Sequence, residues 1–187
     1  MSISLMIFAV GLLLSMIMLA VLITSTYRKC GPNQAMIISG MAAGEGENSF
    51  KIVVGGGAVV LPLIQQANIL SLEVLKIDVA GQTPFITRDG ASVRLDAVGQ
   101  IKVKGDTISI ATACEQLLNK TGQEIVEIGH DIFLGHMRDV IGTLTFEELN
   151  GNLSSVAQRV QEAAISDLAK MGMTVVSFTF KELSRCA

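Results

Sequence analysis

The hydrophobic pattern changes character twice along the chain. Residues 3–23 (ISLMIFAVGLLLSMIMLAVLI) are apolar on every side of a helix, interrupted only by Ser4, Gly11 and Ser15. At ~1.5 Å per residue, 21 residues span roughly 31 Å, about one hydrocarbon core. A surface helix of a soluble domain carries a polar face, which this run lacks. Beyond it, up to about residue 104, apolar positions come in short runs with a period near two. After Gly105 the period becomes 3.6, and it returns to a strand pattern only near the end.

The β-type part is predicted as follows. Gly31-Pro32-Asn33 breaks the chain, and residues 34–39 (QAMIIS) form a first strand. Residues 41–49 (MAAGEGENS) form a glycine-rich loop. Residues 51–54 and 58–61 flank three glycines. Residues 68–79 (NILSLEVLKIDV) form the longest strand candidate, with apolar residues and a charge on each face. Residues 83–87 form a short strand closed by the turn signal Arg88-Asp89-Gly90. In residues 92–104 (SVRLDAVGQIKVK), Val93, Leu95, Ala97, Gly99, Ile101 and Val103 share one face, so this strand is half-solvated, with a bulge expected near Gly99.

Helices are predicted over residues 106–118, from the capping box Thr121-x-x-Glu124 to about residue 141, over a short turn opened by Thr145-x-x-Glu148, and over residues 153–171. Ile125, Ile128, Ile132, Phe133 and Val140 supply the inward stripe of the second helix. Val156, Val160, Ala163, Ala164 and Leu168 supply that of the last. Gly172 stands where a C′ glycine belongs, and residues 175–180 (VVSFTF) form a closing strand. Strands, then helices, then a strand describe an α+β chain. The expected division is a transmembrane segment over 1–27, a β-rich part over 28–104 and a helical part with a final strand over 105–187.

Charge sharpens the reading of the first segment. The first 27 residues hold no Asp, Glu, Lys or Arg, so all the charged residues follow Tyr27. A cleaved signal peptide needs a basic start and a shorter apolar core, and neither is present. An uncleaved anchor is expected, through Ile3, Phe8, Leu13, Ile17 and Ile23. Tyr27, Arg28 and Lys29 follow at once, as an interfacial aromatic and a positive flank do, which places the bulk of the chain in the cytoplasm behind a single pass of the plasma (inner) membrane. Cys30 is juxtamembrane, a position where acylation occurs, against the plain alternative of a partly buried cysteine. The net charge of −3 and 4% aromatic content leave neither a basic field nor stacking platforms for nucleic acid.

Reactive constellations are missing from the pattern. The glycines of residues 51–62 (KIVVGGGAVVLP) fit neither phosphate fingerprint. A P-loop needs Lys and Ser/Thr after its glycines, and Lys51 precedes them. A dinucleotide loop opens a helix, and Gly55-x-Gly57 leads into a β-type run ended by Pro62. A hairpin turn at the glycines is expected. Ile52, Val53, Val54, Val59, Val60 and Leu61 make both its faces apolar, so either protein covers both or one meets lipid. Val54, Gly55, Gly56, Gly57 and Val59 are the lipid-contact candidates. His130 and His136 lie about 240° apart on one helix and cannot share an ion from one face. Cys30, Cys114 and Cys186 form neither a disulfide framework nor a zinc set. No catalytic, cofactor or metal-binding set, and no small-molecule substrate, is expected.

The ordered pieces YRKCGPNQA (27–35), KIVVGGGA (51–58), LP (61–62), LSLE (70–73), GHMR (135–138), IGTLTFEE (141–148) and DLAKMGMTVVSFT (167–179) resemble the flotillins. These belong with stomatins, prohibitins and HflK/C in the superfamily sharing the SPFH (band 7) domain. The likeness runs over nearly all of residues 24–183, and the charge-free span followed by Tyr-Arg-Lys looks like the bacterial arrangement. The resemblance implies a membrane-bound scaffold without catalytic residues. Such a scaffold homo-oligomerises on the cytoplasmic face, organises membrane microdomains and their protein cargo, and works beside a small NfeD-type membrane partner. Relatives outside the flotillins act as regulatory subunits of a membrane protease or channel, the alternative reading. Flotillins continue into a long Ala/Glu/Lys-rich coiled coil. No heptad run follows here, which leaves higher-order assembly open.

Overall fold

The structure is a computed structural model of the chain, and it describes residues 3–40, 50–80 and 84–185. The glycine-rich loop expected over 41–49 lies outside the described residues, as does Thr83 of the short strand. The chain divides into two compact units, residues 1–70 and 71–187.

In the first unit, helix α1 (Ile3–Thr26) passes into strand β1 (Tyr27–Gly40) with no loop between them. Strands β2 (Phe50–Val59) and β3 (Gln65–Ser71) lie on either side of β1, in the order β2-β1-β3. β1 is twice as long as the run 34–39 suggested, because Gly31-Pro32-Asn33 is not a break but part of a bulge. Cys30 pairs with Gly56 and Ala35 with Val54, so residues 31–34 on β1 face Gly55 alone on β2. The expected hairpin is corrected by the same register. β2 runs straight through the glycines. Gly55 (φ 64°) and Gly56 (φ 93°) occupy left-handed backbone, which lets β2 bend opposite the bulge without ending. The small core of this unit gathers Cys30, Met36, Ile38 and Val60, with Val53, Ala58 and Ala67 packed against them.

The expected long strand 68–79 is two strands. β3 ends at Ser71, and β4 (Leu75–Ala80) belongs to the second unit. Lys76 and Asp78 lie in β4 and Glu73 in the link between the two strands, so the charges on the two faces do not belong to one strand. The second unit is built on β6 (Ser92–Val103). β4 and then the two-residue β5 (Phe85–Ile86) pair along one edge of it, and β7 (Met173–Arg185) along the other. The expected inward face of β6 is buried at all six positions. The irregularities lie on the partner strand and not at Gly99. Asp96 and Ala97 pair with Glu182 and Phe180, and Gln100 and Ile101 with Ser177 and Val175, leaving Lys181 and Val176 as the extra residues of β7. Because β7 is the neighbour of β6, the division falls after Leu70 rather than after Lys104. A strand joins the unit that supplies its ladder, whatever the local period around it.

Four helices complete this unit: α2 (Thr107–Leu117), α3 (Gly122–Gly142), α4 (Phe146–Gly151) and α5 (Leu153–Ala169). Asp106 caps α2 by accepting from the Ser109 N–H at 3.0 Å. Both capping boxes form: the Thr121 N–H donates to Glu124 at 2.6 Å and the Thr145 N–H to Glu148 at 2.9 Å. The buried stripe of α3 is Ile125, Gly129, Phe133, Met137 and Ile141, so Ile128, Ile132 and Val140 are only half-buried. The stripe turned toward its smallest residue because Gly129 lies against Ile77 and Ile101, and Gly99 of β6 lies beneath the Phe133 ring. Phe133 stacks on Phe178 of β7 with ring centroids 4.9 Å apart, and Phe178 meets Phe180 edge-on at 5.4 Å.

Gly172 links α5 to β7 at φ 72°, and a Cβ there would strike the Ser109 carbonyl and Ala113. Gly172→Ala should therefore cost about 2–3 kcal/mol through strain and overpacking. Gly135→Ala, on an exposed helical site with open space, should stabilise by about 0.8–1 kcal/mol. Denaturant unfolding of the detergent-solubilised chain checks both signs. The capping glutamates Glu124 and Glu148 are held below the usual glutamate value of 4.5, mainly by the backbone N–H groups of Thr121 and Thr145. Their contribution is thus present above pH 4.5 and lost as the pH falls through the lowered folded values. Glu124→Gln with Glu148→Gln should flatten the acid limb of a stability–pH curve between pH 5 and 3, measured by the same unfolding.

Candidate membrane-contact site

An all-apolar helix leaves its last carbonyls in need of donors, and their satisfaction organises the site. The Val60 N–H donates to the Thr26 carbonyl at 2.8 Å, so the end of β2 is tied to the end of α1. The chain then turns. Ile64 and Gln65 N–H groups donate to the Leu61 carbonyl at 3.1 and 2.8 Å, and the Leu61 N–H donates to Gln65 Oε1 at 3.1 Å. Residues 61–64 (LPLI) form this turn. Leu61, Leu63 and Ile64 are exposed, Leu63 to 98%. A turn made only of apolar residues and proline is unusual in water.

Of the expected anchor residues, Phe8, Leu13 and Ile17 are exposed on α1, and Ile3 and Ile23 fall within its bounds. Residues Ile7–Thr26 make a helix long and apolar enough to cross a membrane. Tyr27, Arg28 and Lys29 open β1, paired with Val59, Ala58 and Gly57. Tyr27 lies over Gly57, where any side chain would collide with its hydroxyl. Val54, Gly56, Gly57 and Val59 are exposed along β2, while Gly55 is half-buried beside Pro32. The structure thus brings the charge-free helix, the Tyr27–Lys29 flank and the apolar end of β2 together. The sequence reading missed Leu63 and Ile64. Its available signal was a turn segment, 61–64, that lacks any polar side chain.

Cys30 is 6% exposed, and its thiol donates to the Gln34 carbonyl at 3.1 Å. The fold presents this sulfur to its own bulge and not to a modifying enzyme. Cys114 is buried in α2, and burial, with the nearby Glu115 carboxylate, pushes its thiol up to about 11. His130 and His136 have separate partners. His130 Nδ1 is 3.2 Å from Asp131, and His136 Nε2 bridges α3 to Asp167 of α5 at 3.0 Å. Lys170 donates to the other oxygen of Asp167 at 2.8 Å and, with His136, holds that carboxyl below the usual range. Among the described residues, no three His, Cys, Asp or Glu side chains gather to hold a metal ion.

The SPFH domain / Band 7 family model matches residues 28–185. The chain belongs to the SPFH domain / Band 7 family. Within it, similarity runs to flotillins. The flotillin-like protein FloT of Bacillus subtilis (strain 168) is 41% identical over 186 residues, covering 95% of this chain and 36% of that protein. Flotillin-1 of Homo sapiens is 36% identical over 156 residues, 82% of this chain and 35% of that protein, and flotillin-1 of Mus musculus has the same figures. The chain therefore spans about a third of the length of these relatives. The SPFH match begins at Arg28, the second residue of β1, so the tie between Val60 and Thr26 joins the SPFH part to α1.

The burial of Cys114 has a kinetic consequence. At pH 8, a shift from 9.0 to about 11 lowers the thiolate fraction of Cys114 about a hundredfold. With Cys186 replaced by serine, Cys114 should react with a maleimide about a hundredfold more slowly in the folded chain than in guanidinium. Mass spectrometry of quenched samples reads the two rates.

Proposed function

We propose that this chain is a membrane-anchored scaffold of the flotillin type. In this reading α1 crosses the inner membrane once, and residues 28–187 lie on the cytoplasmic face. There copies associate, gather protein cargo into membrane microdomains and engage a small NfeD-type membrane partner. The role is structural rather than catalytic. The observation that carries the reading is the end of α1. An uncharged helix, exposed over residues 7–21, is followed at once by Arg28 and Lys29, and Val60, just before the exposed apolar turn 61–64, is hydrogen-bonded back to it. Arg28 and Lys29 favour the cytoplasmic side. The turn offers Leu61, Leu63 and Ile64 to the acyl boundary, at about 25 cal/mol per Å2 of apolar surface removed from water.

Carbonate-washed membranes from expressing cells should retain the chain, and protease should digest residues 28–187 only in inside-out vesicles. Leu13→Arg with Ile17→Arg, each costing about 2.5–3.5 kcal/mol at a helix centre, should release it to the soluble fraction. Retention of that double variant after the wash would remove α1 as the anchor. A spin label on Leu63→Cys, in the Cys186→Ser chain, should collide more with oxygen than with a water-soluble nickel chelate. A label on the exposed Ile108→Cys should do the reverse.

A further inference from the structure

Beside the turn 61–64 the first unit has a cavity of about 370 Å3. Arg28, Lys29, Gln65 and Gln66 line it with Met36, Val60, Pro62, Ala67 and Ile69. Of the lining residues, Met36 and Val60 belong to the unit's core, and Ala67 packs against it. The cavity therefore opens at the edge of the unit's own core.

The charge around it is one-sided. Residues 1–70 carry three cations, Arg28, Lys29 and Lys51, and their two carboxylates, Glu45 and Glu47, fall outside the described residues. Residues 71–187 carry eleven cations and fifteen carboxylates. Among the described residues, neither Arg28 nor Lys29 has an acidic partner, whereas Lys76, Arg88, Lys104, Lys170 and Lys181 all do. The lining thus offers two unpaired cations and the Gln66 amide as donors for a phosphate: a guanidinium fork, an ammonium and an N–H2. The apolar surfaces of Ile69, Pro62 and the neighbouring turn suit what a free phosphate lacks, an attached acyl chain.

We propose that this cavity binds the headgroup of an anionic phospholipid, its phosphate held by Arg28, Lys29 and Gln66 and its acyl chains lying along Leu61, Leu63 and Ile64. The inference rests on the reading that α1 places this end of the unit at the bilayer surface. A headgroup bound here would couple anchoring to lipid composition, since one cation near an anionic surface is worth about fivefold in partition.

The test uses the full chain in a non-ionic detergent, with native mass spectrometry reading bound lipid. Dioctanoyl phosphatidylglycerol should be retained and dioctanoyl phosphatidylcholine should not. Arg28→Gln with Lys29→Gln should weaken phosphatidylglycerol about 25-fold, Arg28→Lys should keep most of the binding, and Lys51→Gln, outside the cavity, should change nothing. Equal retention of the two lipids, or an unchanged double variant, would overturn the proposal. So would inorganic phosphate displacing phosphatidylglycerol at equal concentration, which would mark a free-anion site. Carbonate extraction of wild type reads the anchoring separately. A chain washed from membranes sinks the membrane reading, while a chain that stays but does not select phosphatidylglycerol sinks only the headgroup site.

Discussion

The hydrogen bond from the Val60 N–H to the Thr26 carbonyl is the constraint on which the first unit of this chain depends. An all-apolar helix carries no side chain able to answer its own C-terminal carbonyls except hydroxyls. Here the backbone of a distant strand answers one of them. The consequence is geometric. β1 starts where α1 stops, β2 must end beside the same point, and the turn to β3 is held there by Leu61 and Gln65. A loose linker would let the helix and the sheet move independently. This arrangement sets Arg28, Lys29 and the apolar turn at a defined distance from the helix end.

The second unit follows another logic. Its centre is β6, buried on one face along its whole length and paired on both edges. Close approach governs the packing. Gly99 beneath Phe133, and Gly129 against Ile77 and Ile101, bring α3 onto the sheet more tightly than any larger residue would permit. The Phe133–Phe178 stack then ties helix to final strand. The His136–Asp167–Lys170 group joins α3 to α5 at a partly exposed position, where screening keeps an ion pair weak. Packing of apolar side chains, not charge, holds these helices.

The chain belongs to the SPFH domain / Band 7 family, and α1 is long and apolar enough to cross a bilayer. Flotillin-1 and FloT extend well past the region they share with this chain. In this chain the structure joins α1 to a small β unit, with a mixed α+β unit following it in the sequence. In the described residues, the buried thiols and the capped helix ends serve stability, while Arg28, Lys29, Leu61, Leu63 and Ile64 stay exposed near the end of α1.

Much of this was legible in the chain. The charge-free run, the two capping boxes, the alternation of β6 and the left-handed glycine after α5 are local signals, and a helix or strand obeys them because each depends on neighbours within a few residues. Strand partnership was not legible. The glycines 55–57 read as a turn because two apolar runs flank them. Only pairing with a fourteen-residue β1, bulged at residues 31–34, made them a bend inside one strand. Residues 68–79 read as one strand because nothing local marks the passage from one sheet to the next. The boundary after Leu70 was hidden for the same reason, since β6 belongs with a strand some eighty residues later. The sequence by itself determined the membrane helix, its positive flank, the helices of the second unit and the family. The tertiary structure alone decided which strands share a sheet, and that the turn 61–64 returns to the end of α1, because hydrogen-bond ladders join residues far apart in the chain and leave no periodic trace within either.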